Sequence, residues 1–165
     1  MCQRCGLSYP GLSITEARER IASVPDRTRR AVLAIPEPAR RQRPADGGWS
    51  AVEYLCHLRD VYLTYTIRLH RVRTEDRPTL EPMLNDLRAR RFRYHERDPI
   101  PVLDELAATV AGFLDELDRV GDEQWTRTAT RLPGEERTAR WMVRQAAHEG
   151  EHHLGDIGEL GRSTQ

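Results

Sequence analysis

A chain of 165 residues, 38% of them hydrophobic, can cover one modest core, so a single domain is expected. Its 26 basic residues balance 26 acidic ones, leaving no global field that would draw it to nucleic acid or an anionic membrane. Every basic residue is Arg, and a chain without Lys excludes Schiff-base chemistry, pyridoxal-phosphate attachment and a phosphate-loop lysine. No apolar run approaches the roughly 18 residues of a membrane helix, and the N-terminus lacks the charged and apolar regions of a signal peptide. Three cysteines, an odd number, suit reduced thiols or metal ligands better than a disulfide framework, so a bacterial cytoplasm is the expected compartment.

Residues 1–12 form a short extension in which Cys2-x-x-Cys5-Gly6 precedes Tyr9-Pro10-Gly11, a knuckle-like start with turn chemistry. Ser13 and Glu16 then form a capping box, opening a helix that Pro25 interrupts and that Pro36 and Pro38 stop, so the first helix should be bent or split. Residues 40–48 are an Arg- and Pro-rich connector. A second capping box, Ser50 with Glu53, opens a helix to about residue 72, with Leu55, Leu58, Tyr62, Tyr65 and Leu69 toward the core. Tyr54, His57 and Val61 make the neighbouring stripe and place His57 at the core's border. Residues 83–95 read as a helix whose Arg88, Arg90, Arg91 and Arg93 face solvent. Asp98-Pro99 supplies an N-cap and first helical residue for a helix that reaches about residue 120 and closes on Gly121. Val102, Leu106, Val110, Phe113, Leu114 and Leu117 are its apolar stripe. Residues 122–136 lack helical periodicity and read as an extended loop or short hairpin. The last helix occupies residues 141–161, with Thr138 as N-cap and Gly161 as the C′ residue.

That last helix carries His148 and His152 four residues apart, a spacing that lets two ring nitrogens reach one ion at about 2.0–2.1 Å. Four amphipathic helices without a strong strand signal predict an all-α four-helix bundle over residues 13–165, behind the Cys-containing extension, with a metal site built from facing helices. His148-Glu149-x-x-His152 also satisfies the zinc-protease pattern His-Glu-x-x-His. Gly150 at the helix centre, only 13 residues after His152 to supply a third ligand, and no strand to pair with a peptide count against that reading.

Trp49-Ser50 leading into Glu53, His57 followed by Asp60, and His148-x-x-x-His152 near the C-terminus resemble the signature of the DinB/YfiT-like superfamily of metal-binding four-helix bundles, over about residues 13–160. In that superfamily one His of the second helix and two of the last bind a single divalent ion, so the resemblance makes His57, His148 and His152 the ligands. Zn²⁺ or Ni²⁺ comes first, with Fe or Mn as alternatives. Members include thiol transferases that use bacillithiol or mycothiol and a mycothiol-dependent maleylpyruvate isomerase. The resemblance therefore implies a metal-dependent S-transferase-like enzyme joining mycothiol to a small electrophile, and the Arg-only, GC-rich character resembles actinobacterial proteins. Its expected partners are a small-molecule substrate or thiol, and neither nucleic acid nor membrane. The alternatives are a metal-dependent hydrolase with Glu149 as base and a non-catalytic metal-binding or stress-interaction module. Arg144, one turn before His148, is placed to meet a carboxylate of substrate or thiol. Cys2 and Cys5 lie outside the common family pattern. They read as half of a structural zinc site completed by Cys56, His70, His95, His153 or a second subunit of a homodimer, as a flap that closes the histidine site, or as two reduced thiols.

Overall fold

Two reciprocal capping boxes set the first two long helices. Ser13 Oγ accepts from the Glu16 amide at 3.1 Å while Glu16 returns a carboxylate to the Ser13 amide at 2.9 Å, and Ser50 and Glu53 repeat the exchange. The computed structural model describes residues 2–163 as α1 (Ile14–Ala34), α2 (Ala51–Thr74), α3 (Asn85–Arg91), α4 (Pro99–Leu117), β1 (Thr128–Leu132), β2 (Glu135–Thr138) and α5 (Ala139–Ser163). Helices α1, α2, α4 and α5 make a four-helix bundle in which α1 and α2 each pack on α4 and α5 and scarcely touch one another. Tyr62, Leu55, Leu58, Phe113, Leu106, Met142 and Ile157 fill the centre, fully buried.

The helix α1 runs unbroken through Pro25, although the missing N–H removes one bond of the ladder. It is not split there, the alternative that Pro25 had raised. Helix α3 is shorter than residues 83–95 because Tyr94 must turn inward. Arg93 takes a left-handed φ of 51°, and a 3-10 turn at Tyr94–Glu96 buries the Tyr94 ring and lays its hydroxyl on Asp60. Asp60 is 3% exposed and also takes Arg88 at 2.6 Å and Arg59 at 2.8 Å, so Arg88 is half-buried while Arg90, Arg91 and Arg93 stay exposed as expected. Asp98 caps α4 through the Ile100 amide at 3.0 Å, but α4 ends at Leu117. Gly121 opens a 3-10 turn instead of closing the helix, its amide held by Gln124 Oε1.

The uncertain stretch before the last helix is a hairpin: β1 and β2 pair antiparallel, with Thr128 opposite Thr138 and a bulge between Thr130 and Leu132. Gly134, at φ +77°, supplies the left-handed residue of its turn. Leu80 donates its amide to the Thr130 carbonyl at 2.8 Å, which brings the segment between α2 and α3 against the hairpin. Thr138 Oγ1 caps α5 through the Trp141 amide at 3.1 Å. Gly161, expected just beyond that helix, lies within it. Near the middle of α5, a Cβ on Gly150 would stand 2.5 Å from Tyr62 Oη and 2.7 Å from Val24 Cγ2, so only glycine lets α5 settle this closely on α1 and α2.

Candidate metal centre

Helix α2 presents His57, 3% exposed, to α5, where Glu149 and His153 occupy successive turns of one face. His57 Nε2 lies 3.7 Å from Glu149 Oε2 and His153 Nε2 lies 3.3 Å from the same oxygen, with the two rings 4.8 Å apart. A tetrahedral ion with bonds of about 2.1 Å holds its donors about 3.4 Å apart, so these three atoms already stand at ligand spacing. The surrounding bonds aim them. Asp156 Oδ2 accepts from His153 Nδ1 at 2.8 Å, which leaves the Nε2 lone pair toward Glu149. Gln145 donates to Glu149 Oε1 at 2.5 Å and accepts from the Tyr9 hydroxyl, so the second carboxylate oxygen remains for His57 and His153.

Burial lowers the affinity of His57 for a proton, and the nearby Glu149 offsets this only in part, so its imidazole titrates below the ordinary value. Burial also opposes charge on His153 and on Glu149, but their partners outweigh it: Asp156 and Glu149 raise His153, while His153 and His57 hold Glu149 well below the usual carboxylate range. Beside the cluster lies a cavity of about 160 Å³ lined by His57, Glu149, Tyr65, Arg68, Leu84 and Arg131, among others. Arg68 is 7% exposed; its Nη2 donates to the Glu81 carbonyl at 2.5 Å, and its Nε has no hydrogen-bond partner among the described residues.

A family model for the DinB superfamily matches residues 20–157. The chain belongs to the DinB superfamily. Among solved structures, YfiT from Bacillus subtilis, described as a probable metal-dependent hydrolase with an unusual four-helix bundle topology, superposes with a TM-score of 0.86 at 21% identity, over 99% of this chain and 93% of that one. The mycothiol-dependent maleylpyruvate isomerase superposes with a TM-score of 0.71 at 14% identity, over 96% of this chain and 70% of that one. No curated protein matches the chain. At these identities the likeness is one of fold.

Within this DinB-superfamily fold the histidines do not gather as His57, His148 and His152. His57 faces Glu149 and His153, whereas His148 and His152 face Cys2 and Cys5. The string His-Glu-Gly-Glu-His-His holds two pairs spaced by four residues, and the pairs are turned about 100° from one another around the helix. The face toward α2 carries the second pair. Glu149 thus sits among the donors, both oxygens engaged, rather than free to act as a base on substrate. Arg144 does not reach that cluster's cavity; its Nε donates to the Leu12 carbonyl at 2.7 Å and holds the extension to α5. Cys56 is buried with its sulfur 4.0 Å from the Tyr94 carbonyl, and His70 and His95 pair with Glu116 and Glu96, so none of the three joins Cys2 and Cys5. The Cys2 thiol is lowered to about 5, first by the Cys5 amide and then by the nearby His148 ring, whereas burial raises Cys5. Asp156, Gln145, Tyr9 and Arg68 were not singled out as site residues, and His153 was named only as a partner for the cysteines. Only His153 left a signal, as the residue four beyond Glu149.

Proposed function

We propose that this protein is a divalent-metal-dependent enzyme that transfers a low-molecular-weight thiol, mycothiol foremost, to a small electrophile bearing a carboxylate. The observation that carries the reading is the convergence of His57 Nε2 and His153 Nε2 on Glu149 Oε2 beside a cavity that also holds Arg68. Two imidazoles and one carboxylate accept Zn²⁺, Ni²⁺, Fe²⁺ or Mn²⁺ and leave coordination positions for an outside ligand. An ion held there lowers the pKa of a thiol or water toward neutrality, which supplies a nucleophile in a chain without Lys.

The protein's own groups do the rest. Asp156 keeps the His153 proton on Nδ1, and Gln145 fixes the Glu149 carboxylate, so the donor set is oriented before anything binds. Arg68 brings a buried cation with an unused Nε–H to the cavity, matched to a substrate carboxylate. At about 160 Å³ the cavity is below the roughly 300–1,000 Å³ of drug-sized sites, so a small electrophile enters whole and the thiol presents only its reactive arm. The fold shared with a mycothiol-dependent isomerase, together with the Arg-only composition, supports mycothiol as the thiol.

A hydrolase is the second reading, because two His and a Glu are also the donor set of zinc hydrolases, and YfiT is described as a probable one. Metal-loaded, tag-free protein incubated with a small unsaturated carboxylic acid, with and without mycothiol or a simple thiol, and separately with a small ester, beside the His153→Ala variant, separates the two. Thiol-dependent turnover lost in the variant supports transfer. Ester hydrolysis that needs no thiol and is lost in the variant supports the hydrolase, and turnover that survives His153→Ala contradicts both.

A further inference from the structure

A second set of donors lies on the neighbouring face of α5. Cys2, Cys5, His148 and His152 each bring one ligand atom to within 4.8 Å of the others. The extension forms a tight loop: the Gly6 amide donates to the Cys2 carbonyl and the Cys2 amide to the Leu7 carbonyl, both at 2.9 Å. Gly6 adopts φ +70°, a left-handed conformation that a side chain resists, and the loop it closes puts both sulfurs against α5. Cys2 Sγ stands 3.6 Å from His152 Nδ1. Tetrahedral bonds of about 2.3 Å to sulfur and 2.0–2.1 Å to nitrogen place those two atoms about 3.6 Å apart. An independent observation comes from His148, whose two ring nitrogens are both buried and both without a hydrogen-bond partner among the described residues. Buried ring nitrogens are ordinarily bonded, and here the missing partner faces two thiols and a second imidazole.

We infer that Cys2, Cys5, His148 and His152 form a second, closed zinc site, separate from the centre of His57, Glu149 and His153, that fastens the extension to α5. Two thiolates and two imidazoles select zinc over the hard cations, and four protein ligands leave no exchangeable position. Zinc takes both sulfurs as thiolates, so any thiol proton still present leaves to solvent as its Zn–S bond forms. The fastened segment reaches the other centre along two routes. Tyr9, whose ring lies 5.6 Å from that of His148, donates to Gln145, which holds Glu149. Arg4 pairs with Asp156 at 2.6 Å, and Asp156 orients His153. The closed site therefore positions groups around the open centre without touching substrate.

The test is a count and a spectrum on tag-free full-length protein loaded with Co²⁺ or Zn²⁺. The expected result is two ions per chain, with sulfur-to-cobalt charge-transfer absorption. A Cys2→Ser, Cys5→Ser variant loses one ion and the absorption, while His57→Ala loses the other ion and keeps the absorption. Zinc also protects Cys2 and Cys5 of the wild type from iodoacetamide until a chelator is added. Wild-type protein without charge-transfer absorption, or thiols that alkylate equally fast with and without zinc, overturns the inference. Wild-type protein that binds only the cysteine-dependent ion contradicts the proposed enzyme and leaves the closed site standing.

Discussion

Replacing Gly150 by Ala probes what sets the rotation and depth of α5. In a helix interior, Gly→Ala ordinarily stabilises by about 1 kcal/mol. Here the new Cβ would stand 2.5 Å from Tyr62 Oη and 2.7 Å from Val24 Cγ2, both on fully buried side chains that cannot swing into solvent. Overpacking of this kind costs about 1–3 kcal/mol. Displacing the Tyr62 hydroxyl from the Ala146 carbonyl, now 3.2 Å away, costs about 1 kcal/mol more. The net is a destabilisation of about 2 kcal/mol, which for a chain of this size lowers Tm by roughly 4–8 °C. Thermal and urea unfolding of metal-free protein measure it, with Tyr62→Phe as a second background. Without the hydroxyl the nearest ring atom, Tyr62 Cζ, is 3.8 Å from the new methyl group, so the same substitution should cost about 1 kcal/mol less there. A Gly150→Ala protein that melts at or above the wild-type temperature refutes the close-approach argument.

Asp60→Asn leaves Arg88 and Arg59 without their shared buried carboxylate and should cost about 3 kcal/mol in urea unfolding. Burial opposes ionisation of Asp60, but Tyr94, Arg88 and Arg59 outweigh it and hold its pKa below the ordinary 3.8. Its contribution is therefore complete above that value and disappears as pH falls below it, so the stability gap between wild type and Asp60→Asn narrows in acid; a gap that widens contradicts the assignment. Asp156→Asn should weaken metal binding at the His57 centre by about 10–100-fold in a chelator competition, and unchanged affinity removes Asp156 as the group that orients His153. Arg68→Gln should raise KM by about 10–100-fold for an unsaturated dicarboxylic acid while leaving that of its dimethyl ester unchanged, and equal effects on both remove Arg68 as the carboxylate reader.

The bundle was legible because its signals are local. Capping boxes at Ser13 and Ser50, the Asp98-Pro99 start and the apolar stripe through Leu55, Tyr62 and Leu69 each act within one helix, and α1, α2 and α4 start where these residues put them. Errors fell where a distant partner decides. Helix α3 stops short because Tyr94 turns inward to Asp60, 34 residues earlier in the chain. The metal centre is the sharper case. The sequence pointed to His148 with His152, whereas Glu149 with His153, at the same spacing, was not singled out as a pair. The choice lies in how α5 is rotated against α2, which depends on Gly150 seating over Tyr62 and Val24. The Cys2-x-x-Cys5 spacing suggested half of a metal site, but which histidines it meets depends on an extension that folds back across more than a hundred residues to reach α5.

Anomalous diffraction at the zinc edge from crystals of metal-loaded protein tests the central claim most directly. The structure predicts a peak bonded at about 2.0–2.2 Å to His57 Nε2, His153 Nε2 and a Glu149 oxygen. A peak bonded to His57 together with His148 and His152, leaving Glu149 and His153 free, or no peak beside His57 at full zinc occupancy elsewhere, would contradict it.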